Sequence, residues 1–106
     1  MENLEANTAS IAAFGATTAS MAAELQAAAV TAAASSPAML APVFGIIGGD
    51  FLAAFTAVHT AHLASIEKLS GVLTGISSAT VAAGAAYSSS DESNAAALNS
   101  AGSGVV

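Results

Sequence analysis

From Leu52 onward, side chains suited to a helix contact return at alternating steps of three and four: Leu52, Phe55, His59, His62, Ile66, Leu69, Leu73, Ile76, Thr80, Ala83, Tyr87. That rhythm keeps one stripe of an α-helix turned toward a partner helix, and a β-strand has no use for it. Phe51, Val58 and Val72 flank the stripe and widen it, as packing against more than one neighbour requires. A chain with this run is built around one long helix, expected over residues 50–90.

A second periodic segment precedes it. Leu4, Ile11, Thr18, Leu25 and Ala32 recur every seven residues, with Asn7, Phe14, Met21 and Ala28 interleaved. The spacing predicts a helix over 3–34, with Asn3 as its N-cap and Glu2 and Glu5 placed favourably against the helix dipole. Gly15 costs that helix about 1 kcal/mol relative to alanine, which the packing of Phe14 and Met21 must offset. Ser35-Ser36-Pro37 ends it, because proline disfavours helix in the residue before it. Residues 35–49 hold Pro37, Pro42, Gly45, Gly48 and Gly49 and read as the turn region. Met39, Leu40, Val43, Phe44, Ile46 and Ile47 are too apolar for a solvated loop, so part of this connector is expected beneath the helices. Asp50 then opens the second helix as N-cap or first-turn acid.

Two helices joined by a short connector make an antiparallel hairpin, and composition shows why it needs a partner. Hydrophobic residues are 55% of the chain, yet most are alanine and only 5% are aromatic. Alanine favours helix but buries little area. The expected fold is therefore all-α, a two-helix hairpin over 1–92 completed into a helical bundle by dimerisation or higher assembly, with a flexible polar tail over 93–106. Within the second helix, Gly71 and Gly75 are four apart, either a seam for a close-packed helix or simple local softening.

Charge excludes several functions. Seven acids (Glu2, Glu5, Glu24, Asp50, Glu67, Asp91, Glu92) face one base, Lys68. Binding a nucleic-acid backbone releases counterions through several cations, so nucleic acid is excluded, as is adhesion to an anionic membrane. Stable transmembrane insertion is not expected, because the uncharged stretch 25–49 contains Gln26, two serines and two prolines and is rich in weakly inserting alanine. No cation precedes an apolar run at Met1-Glu2-Asn3, so no secretory signal peptide is expected.

Chemistry finds few footholds. His59 and His62 share a helix face but have no third ligand, since Glu67 is five residues on and turned away by more than about 100°. They read as seam histidines whose protonation would loosen the helix contact. The serines have no paired base, and no GxSxG elbow or phosphate loop occurs. Neither an enzyme, a cofactor nor a metal is expected.

Several features carry a resemblance. Gly45 in the turn is followed six residues later by Phe51; Thr60-Ala61-His62, Leu69, the alanine-rich Ala82 to Ala86 and Tyr87 follow without a gap, and Asp91 stands four residues beyond the tyrosine. In these the chain resembles the EspC-like group of actinobacterial type VII (ESX) secretion substrates, relatives of the WXG-type helical hairpins. The likeness spans roughly residues 43–95. Val43-Phe44-Gly45 stands where the wider group has Trp-x-Gly.

The resemblance implies a secreted or surface protein, exported folded without a cleaved signal peptide, as a homodimer or a heterodimer with another small helical substrate. It implies that Tyr87 and Asp91 form a Tyr-x-x-x-acid export signal read by a cytosolic secretion ATPase or chaperone. Gly45 and Phe51 would set the turn and helix start, while Leu52, Phe55, His62, Ile66, Leu69, Leu73 and Ile76 pack the helices. The competing readings are a self-assembling structural helical protein with no export role, and a membrane-active peptide.

Overall fold

The computed structural model describes residues 3–105. Helix α1 spans Thr8–Ala34, a 3-10 turn covers Pro37–Leu40, α2 is the single turn Ala41–Phe44, and α3 runs through Gly49–Ser103. Helices α1 and α3 are the antiparallel arms of a two-helix hairpin.

The first helix starts later than its heptads suggest. Asn7, not Asn3, caps it: Ser10 donates its amide to Asn7 Oδ1 at 3.0 Å, and Ile11 donates to the Asn7 carbonyl at 3.0 Å. Asn7 holds the stronger position because its side chain meets the first free amides directly. Leu4 precedes the helix and is exposed, no acid lies in the first turn of α1, and Glu2 lies outside the described residues. At the other end Ala34 is the last helical residue, where Ser36 takes over by accepting the Ala38 amide at 3.3 Å.

The connector corrects a second expectation. Pro37 is buried and Leu40 half-buried, but Met39, Val43, Ile46 and Ile47 face outward, Ile47 completely so at 100% exposure. A connector this short has no slack to fold back, so its apolar side chains stay on the outside. Gly45 makes the reversal with φ +58°, a conformation L side chains rarely adopt. Gly48 leaves room for Phe44, whose ring carbons lie 2.8–3.1 Å from where a Cβ would stand. Phe44 stacks on Phe51 at 5.1 Å between ring centroids, Phe51 on Phe55 at 6.0 Å, and Phe55 on His59 at 6.0 Å. Asp50 sits in the first turn of α3 as expected.

The C-terminal segment corrects a third. The expected flexible tail from 93 is helix as far as Ser103. Ala95-Ala96-Ala97-Leu98 are strong helix formers, and extending a formed helix avoids the nucleation cost that a free segment would bear.

The chain divides into two compact units, one of residues up to Thr18 with those from Gly75 onward, the other Ala19–Thr74. In the second, Ala22 and Ser70 are buried. Ser70 donates its hydroxyl to the Ala22 carbonyl at 3.3 Å, and His59 Nε2 lies 2.9 Å from the Ala32 carbonyl. Leu25, Ala29, Leu63, Ile66 and Leu73 are half-buried around them. In the first unit, Ser77 donates to the Gly15 carbonyl at 2.8 Å. A Cβ on Gly15 would lie 3.1 Å from Val81 Cγ2, and one on Gly84 would lie 3.2 Å from Ile11 Cγ2. Buried Thr18 bonds back to the Phe14 carbonyl at 2.6 Å.

In both units the same rows meet. The Leu52, His59, Ile66, Leu73, Thr80 row faces inward as expected, but its companion is Leu63, Ser70, Ser77, Gly84 rather than His62, Leu69, Ile76, Ala83. The reason is size. Gly15 and Ala22 on α1 and Ser70, Ser77 and Gly84 on α3 let the backbones close until hydroxyls reach carbonyls, whereas phenylalanine, leucine and isoleucine would hold them apart. Every buried side-chain polar atom among the described residues has a partner. By length and composition both helical segments, Thr8–Phe44 and Gly49–Ser103, would suffice to cross a membrane. Their apolarity is largely alanine, and most of it is exposed.

Candidate functional site

Tyr87 and Asp91 lie one turn apart on α3, so they share a face. Tyr87 is 39% exposed and shares a shallow apolar depression with Ala83, Ala86 and Ser90. Just before it Gly84 is buried against Ile11, and just after it Ser88 is half-buried. Residues 89–105 are exposed throughout. Tyr87 thus stands where helix pairing ends, its ring part-covered by alanines, while Asp91 opens an unpaired helical extension. The pair lies within α3 rather than at a helix end. Because α3 continues to Ser103, Asp91 lies clear of the C-terminal end of the helix dipole. A phenol with an apolar body and a carboxylate one turn away offer a partner both an anchor and a fixed charge.

The remaining sequence-predicted residues separate into two sets. Gly45 and Phe51 form the turn and the opening of α3, and Leu52, Ile66 and Leu73 are half-buried. Phe55, His62, Leu69 and Ile76 are exposed rather than buried, Leu69 at 51%. His59 rather than His62 meets the other helix. A carbonyl only accepts, so Nε2 is the donor in the His59–Ala32 bond. Ala32 lies in the last turn of α1, so this bond ties the start of α3 to the end of α1. Among the described residues no three of His, Cys, Asp and Glu gather as metal ligands.

Sequence reasoning took Gly15 only as a cost to its helix and missed the contacts made by Gly15, Ala22, Ser70, Ser77 and Gly84. Their signal was present: Gly15, Ala22, Ala29 and Ser36, and likewise Ser70, Ser77 and Gly84, recur every seven residues as small side chains. Gly71 and Gly75 have nothing within 4 Å of an added Cβ, so the close approach within this chain belongs to Gly15 and Gly84.

The chain is thus a hairpin of two long helices with an aromatic–acid pair at the end of the packed region. The family model described as "Excreted virulence factor EspC, type VII ESX diderm" matches residues 1–100, and the chain belongs to this family of type VII excreted proteins. Neither a curated protein nor a solved structure matches the chain.

Proposed function

We propose that this protein is a type VII secretion substrate whose Tyr87-x-x-x-Asp91 segment is its export signal, carried on a non-enzymic helical interaction module. It leaves the cytoplasm without a cleaved signal peptide, as a helical dimer, after a cytosolic ATPase or chaperone of the system reads the signal. It does not insert stably into a membrane, and it takes no cofactor. The observation that carries the reading is the position of Tyr87 at the end of helix pairing, with Asp91 one turn out on exposed helix, in a chain of this family.

Asp91→Ala tests it. Asp91 is exposed, so its loss leaves the hairpin intact. In cells carrying the cognate system, the variant should accumulate inside while the wild type appears in the medium. Wild-type levels of the variant in the medium would remove Asp91 from the signal.

A further inference from the structure

Between Ser36 and Asp50 no side chain is polar, and residues 25–49 carry no charge. In the turn, Ile46 and Ile47 are almost wholly exposed, and Val43 and Met39 largely so. The stack of Phe44, Phe51 and Phe55 braces this tip from the side of α3. The amides of Gly45, Gly48 and Gly49 donate to the carbonyls of Ala41, Phe44 and Ile46, which lowers the cost of taking the turn out of water. We propose that the tip docks on an uncharged lipid surface, with Met39, Val43, Ile46 and Ile47 immersed at the boundary of headgroups and acyl chains. The attachment is peripheral, neither helix crosses the bilayer, and the inference is independent of the export reading.

Three observations favour lipid over a protein. The first is the missing rim. A protein interface surrounds its apolar centre with polar groups that fix its register, and residues 37–49 offer no polar side chain for that purpose. A fluid bilayer asks for none. The second is shape: the isoleucines project without a hollow beside them, which suits a surface that closes around whatever enters it. The third is charge. Asp50, in the first turn of α3, is the first charged residue after the tip, and Glu24 is the last before it. Two acids without a cation are repelled by an anionic surface but tolerated by the ammonium groups of zwitterionic lipids. The four immersed side chains hold about as many apolar atoms as one myristoyl chain, which gives reversible binding of about 10⁴ M⁻¹.

Flotation of the purified full chain with phosphatidylcholine vesicles tests this. Ile46→Ser with Ile47→Ser alters the tip, and Val30→Ser, at an exposed position on α1, is the control. Circular dichroism checks that both variants remain helical. At about 1 mM lipid most of the wild type and of Val30→Ser should float, while the double variant should partition tenfold or more weakly. A wild type that stays at the bottom of the gradient would overturn the proposal, as would a double variant that floats like the wild type. Sedimentation without lipid gives the remaining arm: wild-type copies that associate through Ile46 and Ile47, and do not float, would assign the tip to a second copy instead.

Discussion

Gly15→Leu should lower the melting temperature by about 5–15 °C, whereas Gly71→Ala should raise it by about 4–8 °C. At Gly15 an added Cβ would stand 3.1 Å from Val81 Cγ2 and 3.6 Å from both the Ser77 carbonyl and Thr80 Cγ2. Leucine adds three more carbons in that gap, and overpacking of this kind costs about 1–3 kcal/mol. Pushing the helices apart also loses the Ser77–Gly15 hydrogen bond, worth about 1 kcal/mol. Better helix propensity returns somewhat under 1 kcal/mol, so destabilisation wins. At Gly71 nothing lies within 4 Å, and the propensity gain of about 1 kcal/mol is unopposed. Thermal melts followed by circular dichroism decide the matter; a Gly15→Leu protein as stable as the wild type would show that the helices are not closely apposed there.

Tyr87→Ala should cut the amount of protein in the culture medium roughly tenfold or more, the loss expected on removing an aromatic anchor from a recognition contact. The level inside the cell and the helicity should stay normal. The ring is partly exposed at the end of the paired region, so little packing is lost, and alanine is the best helix former. Tyr87→Phe should export nearly normally, because the anchor is the body of the ring. Quantitative immunoblots of cell and medium fractions provide the readout. Unchanged export of Tyr87→Ala would leave the self-assembling structural reading in its place.

Much of the fold was legible because helix formation and hairpin geometry depend on local pattern. The heptads, Ser35-Ser36-Pro37 and Gly45 marked two arms and a turn, and the row through Leu52, Ile66 and Leu73 faces inward as its spacing predicts. The companion row was misread because bulk was taken as the guide to burial. In a hairpin that closes on itself, burial goes to the residues that permit approach, so Ser70 and Ser77 displaced Leu69 and Ile76. Ile46 and Ile47 failed for a related reason: hydrophobicity states a preference for burial, but a short connector cannot supply the cover. The polar composition after Asp91 hid a helix that α3 had already nucleated. The aromatic–acid pair was legible from its spacing and from the family likeness, whereas its place at the end of helix pairing depended on where α1 begins.

The choice of inward rows underlies both the stability of the hairpin and the face left open to a partner, and disulfide trapping tests it most directly. Ser70 Oγ lies 3.3 Å from the Ala22 carbonyl, so Ala22→Cys with Ser70→Cys should close an intramolecular disulfide in air. Met21→Cys with Leu69→Cys, one residue along on each helix, should remain reduced within the chain. Rapid closure of the Met21–Leu69 pair with none for Ala22–Ser70 would contradict the structure described.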